Sequence, residues 1–367
     1  MCSAEILHNE DHTMKNEKIR HVRIVGTGLI GTSIGLALAQ RGVSLELDDK
    51  DPNSLQLALD LLGPAIASEK PELVVIATPP ESAFDALKRE FLLNPQSTFI
   101  DVSSVKTNLQ LKVDSLPEIA KQFVGTHPMS GRESSGPGAA QSDLFEGRAW
   151  FVTPGGLTNH DALNLVRQFV ESLGATSYLL TPQEHDELMA RISHLPQLLS
   201  TLLAVTLSEK DKGVDLAGQG LRDMTRIAGS DGDLWSQILM ENQQPILQAM
   251  DGYLEKLQKM RTAISQGEII EIKRFFADGN LGKTKVSGKH GAKPRNYSHL
   301  LIVIKDEPGA LSKLFNECAK LNANIEDLSI EHSPGQLTGL ITLAFSPEDA
   351  SRVKTHLTSQ DWKVHQR

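Results

Sequence analysis

Cysteine is almost missing from this chain of 367 residues: Cys2 and Cys318 stand near opposite ends. Two thiols so far apart in sequence build neither a disulfide framework nor a zinc knuckle. Cys318 falls in register with Leu311, Leu314 and Phe315 and reads as a small buried hydrophobe. Aromatic residues make up only 5%, too few for the stacking platforms that hold single-stranded nucleic acid. An excess of positive charge is missing too, since 37 lysines and arginines face 46 acidic residues for a formal net charge of -9. That excludes a whole-chain footprint for a phosphate backbone. No run of 18 or more apolar residues occurs, the length an ordinary helical membrane span requires. The N-terminal stretch carries Glu5, Asp11, Lys15 and Lys18 and has no apolar core of a secretory signal. These absences lead us to expect a cytoplasmic protein of a reducing compartment, starting at Met1 or at Met14.

What is present is patterned for an α/β fold. A hydrophobic content of 40% over this length predicts two or three cores. His21-Val22-Arg23-Ile24-Val25 reads as a strand, and Ile34, Leu36, Ala37 and Leu38 as one face of a helix. Between them lies Gly26-Thr27-Gly28-Leu29-Ile30-Gly31, a G-x-G-x-x-G string in the context that binds dinucleotides. Gly26 permits the tight turn, Gly28 lets the backbone approach a pyrophosphate, and Gly31 brings helix and strand together. Leu29 and Ile30 open the helix whose free N–H groups and dipole face the anion. A second strand, Leu45 to Leu47, leads to Asp48-Asp49, where an acidic side chain grips a ribose 2′-hydroxyl. Asp49 is either that group or a turn residue before Pro52. As a ribose ligand it favours NAD over NADP, because its charge repels a 2′-phosphate.

Further strands read at Leu73–Ala77, Thr98–Val102, Phe123–Thr126, Trp150–Val152 and Ser177–Leu180, separated by helical patterns. Such alternation predicts a parallel, doubly wound Rossmann-type sheet covered on both faces. Thr78, Ser104 and His127 follow three of these strands and would share the ligand-bearing rim. Ser104 serves equally as the N-cap of a helix over 105–113. Pro128 forbids a continued ladder and an immediate helix after His127, which places that histidine at the mouth of a cleft.

From residue 182 the pattern turns helical. Thr181-Pro182-Gln183-Glu184 joins a cap, a proline at the first helical position and the glutamate of a capping box. The helix carries His185, and Pro196 in Ser193-His194-Leu195-Pro196-Gln197 should kink or restart it. Ser230 with Asp233 resembles another helix start. Beyond it Ile238, Leu239, Ile246, Met250, Leu254 and Leu257 form a broad stripe, buried within the chain or against a second subunit. Residues 282–297 carry Lys283, Lys285, Lys289, Lys293 and Arg295 and read as a solvated linker. From Leu300 the order is strand, helix, strand, strand, helix, strand, which predicts a ferredoxin-like βαββαβ sandwich. The expected organisation is a dinucleotide-binding domain over 20–181, an all-helical domain over 182–281, the linker, and a small domain over 298–367.

Residues 22–277 resemble the prephenate/arogenate dehydrogenases of tyrosine biosynthesis. The resemblance rests on Gly28-Leu29-Ile30-Gly31, Asp101-Val102-Ser103-Ser104-Val105-Lys106, His127-Pro128-Met129-Ser130-Gly131, Ser193-His194-Leu195-Pro196 and Thr225-Arg226-Ile227-Ala228. Residues 299–367 look like an ACT domain, an amino-acid-sensing module, through the Asp306-Glu307-Pro308-Gly309 turn and the Asn324-Ile325 pair. Gln197 departs from the pattern, standing where many relatives have a second histidine.

What the resemblance implies is NAD-dependent oxidative decarboxylation of prephenate to 4-hydroxyphenylpyruvate, or of arogenate to L-tyrosine, by a metal-free homodimer. His127 would take the ring hydroxyl's proton, Ser104 would orient that imidazole or the hydroxyl, and His194 would line the cleft. Arg226 would grip a substrate carboxylate, with Glu133 and Trp235 beside it. Gly26, Gly28, Leu29, Ile30, Gly31, Asp49 and Thr78 would hold the cofactor. L-tyrosine would bind near Gly309 and Asn324 and lower activity, using free N–H groups of the Pro-Gly turn. A non-catalytic sensor with a vestigial fold would show decay at Gly28, His127 or Arg226, and all three are intact. A β-hydroxyacid dehydrogenase of similar layout would carry a catalytic lysine in the region that here holds His194 and Arg226.

Overall fold

The computed structural model describes residues 5, 6, 19–63, 70–131, 135–207, 213–286, 297–305, 307–332 and 338–366. The chain divides into two compact units, Met1–Gly267 and Glu268–Arg367. The division falls at Gly267, whose left-handed conformation (φ 67°) ends a long helix there.

The first unit is built on one sheet. Its strands are β1 (Glu5–Ile6), β2 (His21–Val25), β3 (Ser44–Asp48), β4 (Leu73–Ile76), β5 (Thr98–Asp101), β6 (Phe123–Pro128), β7 (Ala149–Pro154) and β8 (Thr176–Leu179). They lie in the order β1-β8-β7-β6-β5-β4-β2-β3. Helices α1 (Leu29–Ala39), α2 (Pro52–Leu62), α3 (Pro80–Leu93), α4 (Thr107–Asp114), α5 (Pro117–Ala120) and α6 (His160–Ser172) follow the strands. Alternation along β4 shows why both faces are covered. Leu73 and Val75 join the cluster of Ile34, Leu38, Trp150 and Phe169, while Val74 and Ile76 join that of Leu87, Phe99, Val113 and Phe123.

The sheet is not parallel throughout, as the strand-and-helix alternation had led us to expect. Strands β2 to β6 are mutually parallel, but β7 runs antiparallel to β6, with His127 opposite Phe151 and Pro128 opposite Trp150. A parallel return needs a crossover of a dozen or more residues, usually a helix. Among the described residues between Met129 and Arg148 the sole helical piece is a three-residue 3-10 turn, Pro137–Ala139. Pro128 therefore ends β6 without breaking the pairing, and the next amide, Met129 N–H, donates to Ala149 O at 2.9 Å.

The helical part of this unit comprises α7 (Pro182–Met189), a π-helical turn (Ala190–His194), α8 (Leu195–Thr206), α9 (Gln219–Thr225), a 3-10 turn (Arg226–Gly229), α10 (Gly232–Glu241) and α11 (Gln243–Gln266). The capping box at Thr181 and Glu184 forms as its sequence predicts. Pro196 cannot donate to the carbonyl four residues back, so the chain widens into the π turn and restarts as α8. The start of α10 differs from expectation. Asp231 caps it, accepting from Asp233 N–H at 2.9 Å and Leu234 N–H at 3.0 Å, while the Ser230 hydroxyl donates to Ile227 O. A carboxylate outcompetes a hydroxyl as acceptor for helix N–H groups. Among the described residues one helical run, Pro182–Thr206, is long and apolar enough to cross a membrane, and its buried His185, Asp186, His194 and Gln197 belong to the site below.

The second unit holds α12 (Ile269–Lys283), β9 (Ser298–Lys305), α13 (Ala310–Lys320), β10 (Asp327–His332), β11 (Thr338–Phe345), α14 (Pro347–Ser359) and β12 (Lys363–Gln366). Its antiparallel sheet has the order β10-β11-β9-β12, the βαββαβ sandwich that the sequence order predicts. Leu300, Ile302, Leu314, Ile341, Phe345 and Val353 fill its core. Cys318 is buried among them, and burial pushes its thiol up to about 11, an unreactive state.

Candidate active site

The strand order reverses at β2, which lies between β3 and β4, and ligands of open α/β sheets bind at such a switch point. The glycine turn sits there. A Cβ on Gly26 would stand 2.4 Å from Ala77 O, and one on Gly31 would stand 2.0 Å from Gly26 O. Those two glycines are required by packing. Gly28 differs: nothing lies within 4 Å of its Cβ position, and no side chain caps the N-terminus of α1 there. Leu29 and Ile30 form the first turn of that helix, so its unpaired N–H groups face an open cradle.

Two polar residues complete this end. Asp49, just past β3, accepts from Thr27 N–H at 2.6 Å and Thr27 Oγ1 at 2.9 Å through one oxygen, and from Asp51 N–H at 2.9 Å through the other. It is a clasp on the glycine turn. Thr78, after β4, has a buried hydroxyl without a partner among the described residues, and burial of such a group is costly unless a ligand completes it. An open cradle on a helix N-terminus, an acidic residue beside it and an orphaned hydroxyl fit a dinucleotide.

The second cluster gathers behind His127. Strand β6 delivers this residue to the rim, 9% exposed, with Nδ1 3.0 Å from His185 Nε2 on α7. His185 Nδ1 lies 2.8 Å from Asp186 Oδ1. The rings meet edge to face, with centroids 5.2 Å apart for His127 and His185 and 5.5 Å for Phe151 and His185. Burial pushes His127 well below the ordinary histidine value, and His185, Lys106 and His194 add to that push. His185 is lowered by burial against the pull of Asp186, and His194 is lowered by burial to about 4. All three imidazoles are neutral at pH 7.

Lys106 forms the floor. Its side chain is 1% exposed, as is that of its partner Asp101, and Nζ also donates to Thr126 O at 2.7 Å and Ser103 Oγ at 3.1 Å. Three acceptors satisfy three donors, and the bond to Thr126 O ties down the residue before His127. On the other side Asn242 reaches both Asp186 O at 2.8 Å and His194 Nδ1 at 3.0 Å. His194 meets Trp235 edge to face at 6.0 Å between centroids. The π turn that ends on His194 aims it at this cluster.

The fold thus connects His127, His194 and Trp235 through His185, Asp186 and Asn242. It gives Ser104 neither the imidazole nor the helix cap as a partner. Ser104 makes no hydrogen bond to His127 among the described residues; the ring's Nδ1 faces His185 instead. Nor does it cap α4: Asp186 accepts from Lys106 N–H at 2.9 Å and Thr107 N–H at 2.8 Å, and that buried carboxylate replaces a hydroxyl cap. Arg226 is exposed and opens the 3-10 turn after α9. Gln197, 7% exposed, braces that turn by donating from Nε2 to Ile227 O at 2.8 Å. Glu133 lies outside the described residues. Gly309 (φ 85°) opens α13 and Asn324 Nδ2 donates to Glu326 Oε1 at 3.0 Å, both in the second unit.

A nucleotide cradle at a switch point, with a buried uncharged histidine on the same rim, defines a Rossmann-fold enzyme that works on a nucleotide cofactor. Residues 22–190 match the family model of the prephenate dehydrogenase nucleotide-binding domain, and residues 181–278 match that of the prephenate dehydrogenase dimerization domain. The chain belongs to the prephenate dehydrogenase family. It is 31% identical to a probable prephenate dehydrogenase of Streptomyces niveus, over 95% of this chain and 100% of that protein. Among solved structures it is similar to prephenate dehydrogenase of A. aeolicus in complex with hydroxyphenyl propionate and NAD+. The TM-score is 0.68 at 26% identity, covering 74% of this chain and 100% of that one. It is also similar to Synechocystis arogenate dehydrogenase, with a TM-score of 0.63 at 28% identity, covering 72% of this chain and 99% of that one.

Proposed function

We propose that this chain catalyses the oxidative decarboxylation of prephenate to 4-hydroxyphenylpyruvate with NAD as cofactor, as a cytoplasmic homodimer. The observation that carries the reading is His127: buried, neutral, fixed through Nδ1, and with Nε2 lacking a partner among the described residues. Bound at the glycine turn, NAD+ would supply the hydride acceptor for the ring carbinol carbon, while loss of the ring carboxylate as CO2 would aromatise the product. The protein's share is to receive a proton and hold a dianion. A neutral imidazole accepts the hydroxyl proton as carbonyl character develops. Arg226 grips a substrate carboxylate, with His194 and Trp235 completing the pocket and Ser104 contacting the hydroxyl directly. Gly26, Gly28, Leu29, Ile30 and Gly31 cradle the pyrophosphate, Thr78 adds a hydroxyl to the cofactor site, and Asp49 stands for the ribose 2′-hydroxyl.

The C-terminal unit is a βαββαβ sandwich, and we read it as an ACT-type effector domain, with L-tyrosine bound near Gly309 and Asn324. An ordered αL glycine at a helix start leaves backbone N–H groups for a carboxylate.

Arogenate differs from prephenate in carrying an amino acid where prephenate has a keto acid, and the similarity to an arogenate dehydrogenase makes it the competing substrate. Initial rates with each substrate, each with NAD+ and NADP+, test the reading. Turnover of prephenate with NAD+ that exceeds the other three combinations is expected. Preference for arogenate would replace the substrate, and no turnover of either would overturn the reading.

A further inference from the structure

The hydrogen bonds behind His127 run in one direction. Asp186 is 2% exposed and accepts three of them. Oδ1 takes Lys106 N–H at 2.9 Å and stands 2.8 Å from His185 Nδ1, and Oδ2 takes Thr107 N–H at 2.8 Å. Backbone amides only donate, so both oxygens serve as acceptors, the state of an ionised carboxylate. Burial opposes that charge, but the hydrogen bonds from His185 and Thr107 prevail and hold Asp186 below the usual carboxylate range. An acceptor facing Nδ1 keeps the proton of His185 on that nitrogen. His185 is neutral, so its Nε2 carries a lone pair. That lone pair points to Nδ1 of His127 at 3.0 Å, and the contact is a hydrogen bond only if His127 donates.

We propose that His185 and Asp186 are positioning residues that lock His127 in the tautomer protonated at Nδ1, leaving the Nε2 lone pair to accept the substrate hydroxyl proton. The inference rests on the reading of His127 as the base and names the device that orients it. In the reaction the hydroxyl O–H bond breaks and an Nε2–H bond forms. The new imidazolium keeps donating from Nδ1, so no second proton moves. The relay starts from a rigid point, the first N–H groups of α4, where an anion is favoured by the helix dipole. Asn242 holds the carbonyl of Asp186 from α10's end, and the charged and titratable groups that face the pair are Lys106, Asp101 and His194.

Two variants separate positioning from bulk packing. His185→Gln keeps an acceptor toward His127 and a donor toward Asp186. His185→Leu keeps apolar volume and removes both. The test is 15N NMR of histidine-labelled full-length protein, with the His127 signals identified by their loss in His127→Asn, together with steady-state kinetics. Wild type and His185→Gln should show a protonated Nδ1 and an unprotonated Nε2 at residue 127. His185→Leu should move the proton to Nε2 and lower kcat by about 10²–10⁴-fold, the cost of a misplaced acid–base group, with KM for both substrates near the wild-type value. A wild-type His127 protonated at Nε2 would overturn the proposal, as would His185→Leu with unchanged tautomer and kcat. The spectrum needs no substrate, so it judges the relay apart from the reaction. Undiminished turnover by His127→Asn would instead overturn the reading of the base itself.

Discussion

At the scale of the residue, the candidate site keeps three imidazoles out of water and uncharged. His127, His185 and His194 are all depressed by burial, and the cost of this appears in acid. A histidine whose folded value lies below 6.5 binds its proton first in the unfolded chain. Between 6.5 and about 4 the unfolded state therefore holds more protons on His194 than the native state does. Stability falls as pH drops through that window and is unaffected by these groups above it. His194 alone accounts for about 3 kcal/mol once the pH lies below both values. Urea unfolding from pH 8 to pH 4.5 should show a flat midpoint down to about 6.5 and a steep decline below, less steep in His194→Gln. A midpoint that stays level to pH 4.5 would mean that these rings charge freely in the folded protein.

Elements differ in how much a local sequence says about them. The glycine turn was legible because a strand, three glycines and a helix follow one another without interruption from His21 to Ala39. The structure adds that the glycines do different work. Gly31→Ala puts a methyl group 2.0 Å from Gly26 O and should destabilise the fold, whereas Gly28→Ala meets no atom within 4 Å. We expect Gly28→Ala to keep the wild-type Tm and to lose NAD+ affinity by calorimetry, and Gly31→Ala to lose Tm first. Equal affinity in Gly28→Ala would remove the pyrophosphate from that cradle. Other elements were not legible. A strand's apolar pattern is the same in either direction, so the reversal of β7 waits on the connection before it. Capping was misplaced twice, at Ser104 and Ser230, since the caps that win are the carboxylates of Asp186 and Asp231. One of these arrives from 80 residues away, and no local pattern encodes that. The same distance hid the partner of His127, which lies 58 residues along the chain on a different element. His185 stood in the sequence as a helix residue with no assigned task. The histidine was visible, and its environment was not.

Over the whole molecule, the long helix α11 leaves apolar surface uncovered. Ile238 and Ile246 of the expected stripe are buried at 4%, but Leu254 and Leu257 are more than half exposed, at 54% and 53%. Exposed apolar surface on a helix of a matched dimerization domain is what a second copy would bury. Sedimentation of the full chain should give a dimer, and Leu254→Glu with Leu257→Glu should give a folded monomer. A wild-type monomer at micromolar concentration would contradict this. The second unit folds around its own core of Leu300, Phe345 and Leu357, so its proposed answer to L-tyrosine can be followed by calorimetry on the full chain.

One measurement bears most directly on the central claim, that the buried neutral imidazole of His127 takes the proton. It is the turnover number of His127→Asn with prephenate and NAD+, set beside its NAD+ dissociation constant. The account predicts a kcat lower by about 10²–10⁴-fold with cofactor affinity unchanged. A kcat within a few-fold of wild type would contradict it.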